Sequence, residues 1–181
     1  MLDKDDKQIV QQVTGIFLYY SRAVDSTILV ALSALASEQA SPTRKTMEKV
    51  KTFLDYAASQ EEAVITYHAI ENVLACHSDA SYLSEPGARI RAGGHFFLSS
   101  NVAIPSNNGA VLNITQIIKA VMTSTAEAEI GAIYINARKS VPQRIMLSEM
   151  GHLQPRTPMQ TNDSAAHAFV TKNVQPRITK L

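Results

Sequence analysis

Residues 94–115 read GHFFLSSNVAIPSNNGAVLNIT, and this stretch decides the fold expected for the second half of the chain. Two β-prone runs, Gly94–Ser99 and Ala110–Thr115, lie on either side of a segment that ends in Asn108 and Gly109. An Asn-Gly pair favours a tight hairpin turn, because both residues tolerate a positive φ angle. The stretch therefore predicts two antiparallel strands joined by a turn.

The segments around this hairpin extend the pattern to a sheet with helices. Two more β-prone runs come before it, Val64–His68 and Val73–His77. After it, Ser124 and Glu127 have the spacing of a capping box at the start of a helix. The apolar stripe of that helix consists of Ile130, Ile133, Tyr134 and Ala137.

The last part of the chain supplies the remaining elements. A loop is predicted from three prolines, Pro142, Pro155 and Pro158, because proline interrupts a helix. A short strand at Met159–Thr161 and a helix from Ser164 follow. Strands followed by a helix, a strand and a helix are typical of a mixed α/β order. The expected fold class is α/β, with an antiparallel three-strand meander, parallel strands and flanking helices.

The first 62 residues are predicted to be helical. Apolar side chains recur at helical spacing in three stretches, at residues 9–20, 28–36 and 47–57. Ser41 followed by Pro42 fits the start of the third helix, because serine caps helices and proline is favoured at their first position. We therefore expect a small helical segment at residues 1–62 and an α/β domain at residues 63–181.

Composition limits the classes of function. The 181 residues are 45% hydrophobic and 18% charged, the balance of a packed globular protein, which excludes disorder throughout. The formal net charge of +1 excludes a global field that recruits nucleic acid. Residues 138–181 nevertheless carry seven basic and two acidic side chains, a local surplus of +5.

The expected location is intracellular. The single cysteine, Cys76, excludes an internal disulfide and a zinc site built on paired thiolates, and it fits a reducing compartment. No apolar run reaches the roughly 18 residues that a membrane span requires. We therefore expect no membrane partner, and a place in the cytoplasm or the nucleus.

Few acidic residues follow residue 71, so each of their positions is informative. Asp79 ends a β-prone run, where it fits either a turn or a catalytic acid. Glu127 and Glu129 lie equally far from the centre of the helical stripe, and only the capping box gives Glu127 a local role. Asp163 fits the N-cap of the last helix. Three of these acids could instead converge on a pair of divalent cations, which prefer oxygen ligands.

Four blocks of sequence are more specific than any single residue. They read HSDASY at residues 77–82, RAGGHFFL at 91–98, STAEAEIGA at 124–132 and QTNDS at 160–164. In this order they resemble the ribonuclease H region of LTR-retrotransposon Pol polyproteins, most of all the copia type. Residues 13–20 (VTGIFLYY) and the helix predicted from Pro42 to Ala57 resemble the segment that links reverse transcriptase to that region.

The resemblance implies both a fold and a reaction. The fold is a five-stranded mixed sheet with helices, and the reaction is hydrolysis of the RNA strand of an RNA–DNA hybrid with Mg²⁺ or Mn²⁺. By the same resemblance, Asp79 is a ligand to both metal ions and Glu129 is a ligand near the attacking water. The implied partners are the hybrid and the rest of the Pol polyprotein, including its reverse transcriptase.

The third acid departs from the family pattern. The family reads TDNS where residues 161–164 read TNDS, so acid and amide are exchanged between Asn162 and Asp163. A fourth acid is expected beyond Leu181, so the domain is expected to be truncated at its C-terminus. Two hypotheses remain. In the first, the chain is an endoribonuclease of impaired activity in which Asp163 replaces the acid at position 162. In the second, it is an inactive remnant that binds nucleic acid weakly at most.

Basic residues near the expected site are candidates for phosphate contacts. Arg89 and Arg91 lie beside the Gly93-Gly94 strand, and Arg138 and Lys139 follow the helix that contains Glu129. Further basic residues extend through the C-terminal part of the chain. A solvated surface without a ligand explains this set equally well, because it has no aromatic residues interleaved.

Overall fold

The computed structural model describes residues 3–60, 62–85 and 87–171, and it divides into two compact units. We call residues 1–67 the helical unit and residues 68–181 the sheet unit. Their boundary lies five residues after the boundary expected from the sequence.

The helical unit contains the three helices that periodicity predicts. They are α1 (Lys4–Ala23), α2 (Leu29–Glu38), which follows a 3₁₀ turn at Ser26–Ile28, and α3 (Arg44–Ser59). Their apolar stripes form one core of Val10, Ile28, Leu32, Leu35, Val50 and Phe53. The predicted start of α3 at Pro42 is wrong by two residues, because Thr43 and Thr46 form the capping box instead.

The sheet unit is a mixed α/β structure with one open sheet. The strands β1 (Val73–Glu85), β2 (Arg89–Ser99) and β3 (Ala110–Ile118) form an antiparallel meander, and the short β4 (Met159–Gln160) pairs in parallel with β1. The strand order is β3-β2-β1-β4. The helices are α4 (Thr125–Glu149) and α5 (Ser164–Thr171). The meander and the mixed sheet are confirmed, with four strands and one parallel pairing in the part of the chain described.

The predicted strand at Val64–His68 is absent. This segment has no regular secondary structure. The His68 backbone N–H donates to Asn108 Oδ1 at 2.8 Å, and Asn108 Nδ2 donates back to the His68 carbonyl at 3.2 Å. A side-chain amide therefore satisfies the backbone groups that a neighbouring strand would otherwise pair with.

The hairpin prediction is right about pairing and wrong about the turn. β2 and β3 pair in antiparallel fashion, but residues 100–109 connect them as a loop without a tight turn at Asn108 and Gly109. Asn108 holds this loop, because its Nδ2 also donates to the Leu98 carbonyl at 3.0 Å and its Oδ1 accepts from the Gly109 N–H at 2.9 Å. The Asn-Gly pair thus acts through the asparagine side chain.

The predicted loop at Pro142 is also wrong, because α4 runs through it. Pro142 is exposed, so the backbone carbonyl that loses its helical partner lies on the side facing solvent. Ser140 and Leu147, on either side of it, are buried. Beyond Pro142, the Arg144 guanidinium donates to Thr157 Oγ1 at 2.6 Å and to the Gln154 carbonyl at 3.0 Å. Burial and this clamp favour a continuous helix over a break.

No helix within the described ranges combines the length and the apolar composition needed to cross a membrane. The longest of them, α4, places Glu129 and Asn136 on its buried face.

Candidate acidic site

Glu129 lies at the point where three elements of the sheet unit meet. It sits near the N-terminus of α4 and is only 3% exposed. Its Oε1 accepts from the Ala80 N–H on β1 at 3.0 Å, and its Oε2 accepts from Thr161 Oγ1, just after β4, at 3.3 Å. One buried carboxylate therefore joins β1, α4 and the segment that leads to α5.

The electrostatic surroundings of Glu129 bring in the other two candidate acids. Burial is the largest influence, and it raises the pKa of Glu129 above its usual value. The charges of Asp79 and Asp163 raise the pKa of Glu129 further, whereas the hydrogen bonds from Ala80 and Thr161 lower it. Asp79 and Asp163 are thus each close enough to Glu129 to affect its charge state.

Asp163 has the local role that its sequence context predicts. Its Oδ1 accepts from the Ala166 N–H at 2.6 Å, which makes it the N-cap of α5. Its own N–H donates to Thr161 Oγ1 at 3.3 Å. Asn162, at the position where the family pattern has its acid, is exposed, as is Asp79.

Glu127 belongs to the N-terminal cap of α4, as the capping-box argument predicts. Ser124 Oγ accepts from the Glu127 N–H at 3.2 Å, and Glu127 Oε2 accepts from the Thr123 N–H at 2.7 Å. The return bond thus goes to Thr123, one residue before the N-cap. This backbone bond is the main cause that lowers the pKa of Glu127. Of the two glutamates, Glu129 is the one that faces the other acids.

The residues present do not fit a resident pair of Mg²⁺ or Mn²⁺ ions in this arrangement. Their oxygen donors have the right chemistry for such ions. Nevertheless, within the described residues no three histidine, cysteine or acidic side chains are grouped so that they could hold a metal ion. Both oxygens of Glu129 accept bonds from the protein, and Asp163 Oδ1 caps α5.

The candidate phosphate-binding residues divide into buried and exposed ones. Arg91 is 5% exposed, and its Nε donates to Glu85 Oε1 at 2.6 Å while its Nη1 donates to Thr115 Oγ1 at 3.1 Å. The hydrogen bond from Arg91 also lowers the pKa of Glu85. Arg91 is therefore held inside the sheet unit rather than presented to a ligand.

Arg89, Arg138 and Lys139 have exposed side chains. The Arg138 guanidinium carbon lies 5.8 Å from the centre of the Tyr134 ring on the preceding turn of α4. Among the other C-terminal basic residues, Arg144 is used in the clamp described above, and Lys172, Arg177 and Lys180 lie outside the described residues.

Asn136 is the residue of this region that sequence reasoning missed. It is fully buried, and its Nδ2 donates to Ser78 Oγ and to the Gly93 carbonyl, both at 2.8 Å. It thereby fastens α4 to both β1 and β2. Its spacing of seven residues from Glu129 places both on one helical face, and that spacing was the available signal.

Comparisons of the chain with models of protein families, with curated proteins and with solved structures each found no match. Function must therefore be inferred from the residues and their geometry.

Proposed function

We propose that the sheet unit is a ribonuclease H-like domain of copia-type retrotransposon descent that binds RNA–DNA hybrids weakly and does not hydrolyse them. Two things support descent: the four sequence blocks, and the positions of Asp79, Glu129 and Asp163 on β1, α4 and the segment after β4. These are the elements on which the resemblance implies the acids.

The use of Asp163 as the cap of α5 is the observation that carries the loss of hydrolysis, because Asn162 is neutral and the third acid position is then left without a carboxylate. Two-metal hydrolysis requires carboxylate oxygens that are free to hold ions about 3.5–4 Å apart. Glu129 instead accepts bonds from Ala80 and Thr161, while Asp163 caps α5. The neutral Asn162 stands where the family has its acid. The remaining carboxylate, Asp79, cannot hold two metal ions by itself.

Binding of the hybrid rests on exposed cations. Arg89, Arg138 and Lys139 are available to neutralise phosphates, and such contacts weaken steeply with salt. Because these side chains do not contact base edges in this proposal, the affinity is expected to be low and independent of sequence.

An active nuclease is the second candidate, and one observation favours it. Asp79 and Asp163 each lie close enough to Glu129 to act on it electrostatically. In this candidate, Asp163 gives up its cap and replaces the acid at position 162, and the hydrolysis requires Mg²⁺ or Mn²⁺.

The test restores the family order of acid and amide at positions 162 and 163. The double variant Asn162→Asp/Asp163→Asn keeps the composition and the net charge, and asparagine caps helices about as well as aspartate. With a labelled RNA–DNA hybrid and Mg²⁺ or Mn²⁺, we expect no cleavage by the original chain and measurable cleavage by the double variant. Adding Asp79→Asn to the double variant should abolish that cleavage.

Cleavage by the original chain that is lost in Asp79→Asn would establish the second candidate instead.

Binding is measured separately, by fluorescence anisotropy of the same hybrid at increasing salt. We expect Lys139→Gln to weaken binding and the matched variant Arg22→Gln, on an exposed residue of the helical unit, to leave it unchanged. If Lys139→Gln and Arg22→Gln bound the hybrid equally well, the proposed role of the exposed basic residues in binding would be contradicted.

A further inference from the structure

The side of α4 that faces away from the sheet has an apolar stripe. Tyr134, Val141 and Ile145 are 62%, 54% and 55% exposed. With Arg138 they occupy an arc of about 60° at 100° per residue, opposite the buried face that includes Ala132, Asn136 and Leu147. We call these four exposed residues the outer stripe.

The spacing of the outer stripe is that of a helix that pairs with another helix. Successive members lie four, three and four residues apart, the alternation of the a and d positions in a two-stranded coiled coil. A solvent-facing side of a helix is ordinarily polar. Three apolar side chains with this spacing therefore indicate a face that packs against another helix.

The charged residues beside the outer stripe favour a second copy of this chain as the partner. Arg138 and Glu149 flank Val141 and Ile145 on this side of α4, with Arg138 three residues before Val141 and Glu149 four residues after Ile145. In an antiparallel pair of α4 helices centred near residue 143, Val141 of each copy faces Ile145 of the other. The same register brings Arg138 of each copy beside Glu149 of the other, which gives an apolar centre between two opposite-charge pairs.

We propose that the outer stripe of α4 is the interface of a symmetric, antiparallel homodimer of this chain. Each copy contributes the same residues, so the contact closes with two copies. The dimer buries Arg138 and so removes it from the phosphate contacts proposed above, whereas Lys139 lies about 100° further around the helix and stays exposed. Dimer formation and phosphate contact by Lys139 are therefore compatible.

The oligomeric state of the full chain tests the apolar centre. By sedimentation equilibrium we expect a monomer–dimer equilibrium that depends on protein concentration. Val141→Glu should weaken dimerisation at least about tenfold, because it buries an unpaired charge at the centre of the interface. The matched control is Val30→Glu, on an exposed face of α2 where valine is 57% exposed, and it should leave the dimer unchanged.

Charge reversal tests the register. Arg138→Glu and Glu149→Arg should each weaken the dimer, and combining them in one chain should restore it, because opposite charges then meet again. A chain that stays monomeric at all concentrations would overturn the proposal. A dimer that Val141→Glu and Val30→Glu weaken equally would also overturn it. Failure of the double reversal to restore the dimer would overturn the antiparallel register.

Discussion

Buried polar side chains in the two units of this chain illustrate two kinds of hydrogen bond. In the helical unit, Thr14 donates to the carbonyl of Val10 at 2.8 Å, four residues earlier in the same helix. In the sheet unit, Asn136 donates to Ser78, 58 residues away, and Glu129 accepts from Ala80, 49 residues away. Thr14 thus bonds within its own helix, whereas Asn136 and Glu129 bond across the fold.

This difference predicts unequal tolerance to substitution. A side chain bonded within its own helix can be replaced without separating two elements of the fold. A side chain bonded across the sheet unit positions the elements it joins, and its loss leaves buried groups unpaired on several of them. We therefore expect single substitutions at buried polar or close-packed positions to cost more stability in the sheet unit.

Paired glycine substitutions should give the largest contrast. At Gly94 an added β-carbon would overlap the Asn136 side chain and lie 2.8 Å from Cγ1 of Ile114, so Gly94→Ala should cost about 1–3 kcal/mol or more. At Gly15, inside α1, nothing lies within 4 Å of an added β-carbon. Gly15→Ala should stabilise the helical unit by about 0.5–1 kcal/mol.

Cys76 supplies a measurement that is specific to the sheet unit. It is the chain's only cysteine, and burial raises the pKa of its thiol to about 12, so a thiol reagent labels it only when β1 opens. Gly94→Ala should accelerate labelling, and Gly15→Ala should not. Unchanged labelling in Gly94→Ala would contradict the close packing of α4 on β2.

A second pair compares buried polar side chains directly. Asn136→Ala removes the bonds to Ser78 and the Gly93 carbonyl and should cost about 2–3 kcal/mol. Thr14→Val keeps the shape of the side chain and removes one bond within α1, so it should cost less than about 1 kcal/mol. Urea unfolding of both variants gives the two values, and equal costs would contradict the comparison.

The third pair concerns the pH dependence of stability, and its effect is the smallest. Because burial raises the pKa of Glu129 above its usual value of 4.5, the folded chain holds this proton more tightly than the unfolded chain. The resulting stability is present below about pH 4.5 and is lost as pH rises through the raised folded value. Glutamine does not titrate, so Glu129→Gln should remove this loss of stability with rising pH. The variant should then be more stable than the original chain at neutral pH.

Glu127 is the matched control, with the opposite sign. Its pKa is lowered in the fold, so its contribution to stability is present above the usual value of 4.5 and is lost as pH falls through the lowered folded value. Thermal unfolding from pH 3 to pH 8 should therefore show opposite changes in slope for Glu129→Gln and Glu127→Gln. If both variants changed the slope of stability against pH in the same direction, the burial of Glu129 would be contradicted.

The sequence predicted most of the elements because their signals are local. Apolar periodicity gave α1 to α3, and Ser124 with Glu127 gave the start of α4. The errors occurred where a distant residue overrides a local signal. Asn108 replaces a strand partner for His68, and the clamp of Arg144 helps to keep α4 continuous through Pro142. No pattern within a few residues encodes such contacts.

For the acidic site, the sequence determined which residue types are present, the exchange of acid and amide at Asn162 and Asp163, and the capping role of Glu127. Only the tertiary structure decided that Glu129 is buried and bonded to Ala80 and Thr161, and that Arg91 is held by Glu85 rather than exposed. The physical reason is that caps and stripes depend on neighbours along the chain. Burial and hydrogen bonding of a side chain depend on residues that folding brings from tens of positions away.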